Sequence, residues 1–150
     1  MKTIANKGPL AARLLLGVVF AVFGLNKLLP FLPEPAMTGA PAQFFGALFA
    51  TGYMIPLLAM TEIVGGLLLL SGRYVPLGLT LLAPVVVNIM GFHLFLVHGG
   101  LPVPLTVLAL EIYLAWSNRA AFAPMLRARV SPQETSTKAQ PKLSSVAAVG

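Results

Sequence analysis

Four apolar stretches, at 10–29, 54–70, 75–97 and 101–118, decide what this chain can become. The second reads MIPLLAMTEIVGGLLLL and carries a single acid, Glu62, near its middle. At about 1.5 Å per helical residue it reaches roughly 25 Å, near the shortest helix that crosses a bilayer. Of 150 residues, 57% are hydrophobic and only 9% are charged, whereas a soluble domain has about 25% charged residues. The fold expected is therefore an all-α membrane protein, a bundle of four transmembrane helices. One membrane domain, 9–125, lies between a basic head at 1–8 and a polar tail at 126–150. The tail has too little apolar surface to build a core and is expected to be disordered.

The formal charge is +6. In a soluble protein this would suggest nucleic acid, but here the cations flank apolar spans. They read as topology signals and contacts to anionic lipid, with the bilayer as partner and no nucleic acid. Lys2, Lys7, Arg13, Arg73, Arg119, Arg127, Arg129, Lys138 and Lys142 fall in the head, at the near end of span 1, in the 2–3 turn and in the tail. The other two connections hold no Lys or Arg, and Lys27 sits at the far end of span 1. Four spans put the cation-bearing pieces on one side, the cytoplasm, together with both termini. Tyr53, Tyr74 and Trp116 fall near span ends, as an aromatic belt does. The first stretch follows Lys2 and Lys7 as a signal peptide would. It is of span length with no small-x-small cleavage site after it, so it reads as a retained helix.

Within span 1, Arg13, Gly17, Phe20, Gly24 and Lys27 share one helical stripe. Small residues let helices approach closely in lipid, so this face should look into the bundle. The connection at 30–52 is broken by Pro30, Pro33, Pro35 and Pro41. Inside it, residues 43–50 place Phe44, Phe45, Leu48 and Phe49 at helical spacing. That predicts a short amphipathic helix on the membrane surface, or a lid over the bundle. Glu62 shares its face with Gly65 and Gly66. In span 3, Pro84, Asn88, Gly91 and Phe95 share a face, and His93 lies roughly 140° around from Asn88.

The polar residues inside the spans are the candidate site: Glu62, Glu111, Asn88, Lys27, Arg13 and His93. Glu62, Glu111 and Asn88 fall near mid-membrane, Lys27 and His93 in the outer half, Arg13 near the inner surface. A carboxylate at such depth costs a few kcal/mol unless protonated or paired. Two carboxyls on neighbouring helices can share a proton and titrate as a unit, pair with a cation, or accept from Asn88. That arrangement suits proton uptake beside a redox carrier. A plainer reading stands beside it. Buried Glu and Asn can simply hold helices together by hydrogen bonds, about 0.6–2 kcal/mol each. Lys27 can snorkel to the surface, His93 can be a packed ring, and His98 a solvated loop residue. No metal site is expected from one His and two Glu. The chain has no cysteine, which excludes disulfides, thiolate catalysis and Cys-ligated metal. It has no GxGxxG, P-loop, HExxH or GxSxG motif.

The Arg13-x3-Gly17-x2-Phe20-x3-Gly24-x2-Lys27 stripe, the Glu62-x2-Gly65-Gly66-x5-Gly72 segment and the run from Asn88 to His93 resemble the DoxX and DoxX-like family. The resemblance covers about 11–125. It implies a four-helix protein of the bacterial inner membrane and a link to quinone-coupled redox chemistry, the namesake being associated with a thiosulfate:quinone oxidoreductase. On that footing the leading expectation is a membrane subunit that binds quinone or a similar apolar ligand. Glu62 and Glu111 would handle protons, Lys27 and Arg13 would balance charge, and a soluble or membrane redox partner would supply the electrons. The alternatives are a small proton-coupled carrier of apolar ligands, working as a homo-oligomer, and a non-catalytic assembly partner of a membrane enzyme.

Overall fold

The computed structural model describes residues 7–33 and 36–126. The head up to Asn6, Glu34 with Pro35, and the tail from Arg127 lie outside the described residues. Helix α1 (Lys7–Leu28) carries Pro9 in its first turn, where a missing N–H breaks no helical bond. Asn26 ends it. Its buried Oδ1 accepts from the backbone N–H of Phe31 at 2.9 Å and of Leu32 at 2.7 Å, drawing the proline-rich connection back over the helix end. Helix α2 (Ala40–Ala50) starts at Ala40 rather than Gln43. Pro41 stands in its first turn and so opens the helix instead of breaking it.

Helices α3 (Met54–Ser71) and α4 (Val75–Phe92) are joined by a tight turn whose Gly72 takes a left-handed φ of 69°. Helix α4 continues without a break into a π-helical turn, His93–Val97, completing the third stretch. Pro84 sits inside α4 on an exposed face without ending it. Helix α5 (Pro102–Ser117) follows, then a short α6 (Arg119–Phe122) and a 3-10 turn, Ala123–Leu126. No strand occurs among the described residues.

The four longest helices close a ring: α1 packs on α3 and α5, and α4 packs on α3 and α5. Glycine sets the spacing. A Cβ built on Gly66 would stand 2.7 Å from the backbone nitrogen of Ala21 and 2.8 Å from the carbonyl of Gly17. Only bare backbone fits between α1 and α3 there. Its neighbour Gly65 does the same for α4, where Leu82 fills the space. The stripe of α1 turns inward as its spacing predicts: Gly17, Phe20 and Gly24 are buried, with Arg13 and Lys27 half-buried at its ends. Arg13 lies against Gly72, where the guanidinium meets the negative end of α3.

The core is Leu16, Phe20, Leu69, Leu79, Leu82, Val86 and Leu114 with smaller neighbours. Outside it the surface stays apolar: Leu15, Phe23, Leu57, Leu67, Leu77 and Val87 are all more than half exposed. An exterior this apolar around a core that holds Asn26, Glu62 and Glu111 is matched to hydrocarbon rather than water. Three helices are long and apolar enough to cross a membrane: α1, α3, and α4 with its π-turn, at mean hydropathies of 2.0, 1.9 and 2.0. Helix α5, at 16 residues, is shorter.

Candidate functional site

Lys27 and Glu62 meet across the α1–α3 seam. Gly24, one turn before Lys27, lies against Ala59 and Glu62 so closely that a Cβ there would stand 2.9 Å from the Glu62 Cβ. This contact brings the end of α1 down onto the middle of α3. Lys27 Nζ donates to Glu62 Oε2 at 2.6 Å. Glu62 is 2% exposed, and the Lys27 side chain 23%. The ammonium offsets the cost of holding a carboxylate in apolar surroundings, and it uses one of its three donors to do so.

The pair forms part of the wall of a cavity of about 330 Å³. Aromatic and aliphatic side chains make up most of the rest. Phe20 and Phe23 come from α1, Phe44 and Phe45 from α2, Leu58 from α3, Phe92 from α4, and Pro104 from α5. Helix α2, none of whose residues is buried, is held by an aromatic cluster. Phe44 and Phe45 stand 5.6 and 5.2 Å from the Phe92 ring, the second edge-on. Asn88 and His93 also line the cavity, although they lie far apart around one helix. The cavity is wide enough, from α1 to α5, to take residues from both flanks of α4. His93 Nδ1 donates to the Ile89 carbonyl at 2.9 Å, which fixes the ring. Asn88 bonds to neither carboxylate among the described residues.

Glu111 and Arg13 stand apart from this cluster. Arg13 is at the opposite end of α1 from Lys27. Glu111, 6% exposed, lines a separate cavity between α4 and α5, and neither of its carboxylate oxygens has a hydrogen-bond partner among the described residues. The site is therefore built around one carboxylate and one ammonium, not a pair of carboxyls. No group of three or more His, Cys, Asp or Glu that would hold a metal occurs among the described residues. Sequence reasoning did not single out Phe92, the centre of the aromatic cluster, because nothing in an apolar helix marks one phenylalanine over another. It also gave Asn26 no role, although an amide just before a Pro-rich connection is a turn signal.

Chemically, the cavity offers an ammonium with donors to spare, an adjacent carboxylate and aromatic walls. It suits a flat apolar molecule that carries a hydrogen-bond acceptor. No curated protein and no solved structure matches the chain significantly. The family model described as DoxX matches residues 8–99, well over half of the chain, including Lys27, Glu62 and every part of the cavity wall except that from α5. With its three long apolar helices and this match, the chain belongs to the DoxX family and is an integral, multi-pass membrane protein.

Proposed function

We propose that the protein is a quinone-binding membrane subunit of a bacterial inner-membrane redox system. The observation that carries this reading is the Lys27–Glu62 ion pair set into the wall of an aromatic cavity. At about 330 Å³ the cavity is at the lower end of the range for small-molecule sites, roughly 300–1,000 Å³, enough for a quinone ring while the tail stays in lipid. Lys27 donates to a quinone carbonyl, where negative charge develops on reduction. Glu62, a carboxylate while Lys27 holds it, takes up a proton from water as Lys27 turns to the reduced oxygen, and passes that proton on to it. The electrons come from a redox partner, soluble or in the membrane, that carries its own cofactor. In this reading α5 is the fourth span, both termini face the cytoplasm, and α2 lies at the outer surface over the cavity mouth.

The test is purification in native-like lipid discs, followed by mass spectrometry of co-purifying small molecules. Stoichiometric quinone, lost in Glu62→Gln and in Lys27→Met while both variants stay monodisperse, is the expected result. A preparation that carries only bulk lipid, and does not take up added decylubiquinone, overturns it. Such an outcome would favour an assembly partner in which the ion pair only holds α1 to α3.

A further inference from the structure

The second cavity, between α4 and α5, also has a volume of about 330 Å³. Leu79, Ala83 and Val86 of α4 and Leu108 and Ile112 of α5 line it, with Phe122 of α6. Two polar residues line it, Thr80 and Glu111. The Thr80 hydroxyl already donates to the Pro76 carbonyl at 2.9 Å. Glu111 has no donor among the described residues on either oxygen. Among the described residues, two cations of neighbouring elements are committed elsewhere. Lys27 is held by Glu62. Arg119 donates to the Trp116 carbonyl and lies over the Trp116 ring, 5.4 Å from its centre.

A buried carboxyl without any donor is costly, and native structures rarely keep one unless something supplies the missing bonds. A positive, hydrogen-bond-donating head on an apolar body small enough to fit between two helices would supply those bonds. We propose that the α4–α5 cavity is a second ligand site, which takes small apolar amines with Glu111 as their counter-charge. One proton serves the pair. A protonated amine meeting the carboxylate, or a neutral amine taking the proton of the carboxyl, arrives at the same ammonium–carboxylate contact. Both Glu111 oxygens are shielded from water, so the guest meets them through rotation of the flexible glutamate side chain. Glu111 lies outside the residues matched by the family model, and this site is independent of the quinone reading.

The experiment uses the full chain in lipid discs, with empty discs as the blank. The probes are 1-aminoadamantane and the neutral cage alcohol 1-adamantanol, titrated calorimetrically. Saturable binding of the amine, at least tenfold tighter than of the alcohol, is expected. Glu111→Gln should bring the two probes within twofold of each other. Ala83→Leu, which fills the cavity and leaves Glu111 in place, should abolish saturable binding of both and keeps the test open if Glu111→Gln does not fold. Decylubiquinone uptake should be unchanged in both variants. Equal affinity for amine and alcohol, amine binding indistinguishable from empty discs, or full amine affinity in Glu111→Gln each overturn the site.

Discussion

Removing the ammonium of Lys27 leaves Glu62 as a carboxyl at 2% exposure with no other cation beside it among the described residues. Removing the carboxylate instead leaves Lys27 at 23% exposure near a helix end, with a long stem that can carry its charge to water. The two losses are therefore unequal. Lys27→Met is expected to cost about 3 kcal/mol of stability, the usual range for breaking a buried pair, and Glu62→Gln clearly less. The double variant Lys27→Met with Glu62→Gln should recover most of the loss. Thermal unfolding in lipid discs, analysed as a double-mutant cycle, checks this, and equal single losses with no coupling would mean the pair is not formed. Asn26 gives a second prediction at this scale. Asn26→Ala strips two backbone N–H groups of their acceptor and should cost about 1–3 kcal/mol; Asn26→Asp, which still accepts both bonds, should cost less. Both charged partners were visible in the sequence because a charge inside an apolar stretch stands out. Their pairing was not, since they are 35 positions apart and meet only through the register of two packed helices. Glu111 has the complementary history. Its depth in the sequence matches that of Glu62, but depth along a helix says nothing of rotation about it, and packing turned it towards α4.

At the scale of elements, the α1–α3 seam depends on two helices touching through backbone. A methyl group at Gly66 would meet Ala21 and Gly17 backbone atoms at under 3 Å, and these cannot yield as a side-chain tip can. Gly66→Ala should therefore force the helices apart at a cost of about 1–3 kcal/mol and lengthen the Lys27–Glu62 contact. Gly46 in α2 is the control. A Cβ there meets nothing within 4 Å, so Gly46→Ala should gain roughly 0.5–1 kcal/mol from helix propensity alone. Denaturant or thermal titration of the two variants checks the opposite signs, and two changes of the same sign would refute the close approach. Periodicity made the inward face of α1 legible, because an i, i+4, i+7 stripe of small residues has few other uses in a membrane helix. It left α2 less well defined, because proline both breaks and begins helices. Only the position of Pro41 relative to the following turn decides which.

Across the whole molecule the open question is how the bundle sits in its membrane. Three helices are long enough to cross by length and composition. Helix α5 has 16 residues, or about 24 Å at 1.5 Å per residue, against a hydrocarbon core of about 30 Å. It closes the ring between α4 and α1, and a helix packed on both sides can be short if the bilayer thins or its end residues reach the interface. The asymmetry of Lys and Arg predicts the same four-span arrangement, since the connections after α1 and after α4 carry neither. The chain contains no cysteine, so single cysteines can be introduced one at a time and probed with a membrane-impermeant maleimide. Gly99→Cys has open space around it and lies between α4 and α5. Ser71→Cys marks the α3–α4 turn, and Ser117→Cys the far end of α5; both positions are exposed. In intact cells Gly99→Cys should label, whereas Ser71→Cys and Ser117→Cys should label only after permeabilisation. If Ser117→Cys labels from the same side as Gly99→Cys, α5 does not cross and the bundle has three spans. If all three patterns reverse together, the four spans stand but the termini face outward. On the proposed quinone reading, protons would then reach Glu62 from the opposite side, and a redox partner would have to be sought there as well.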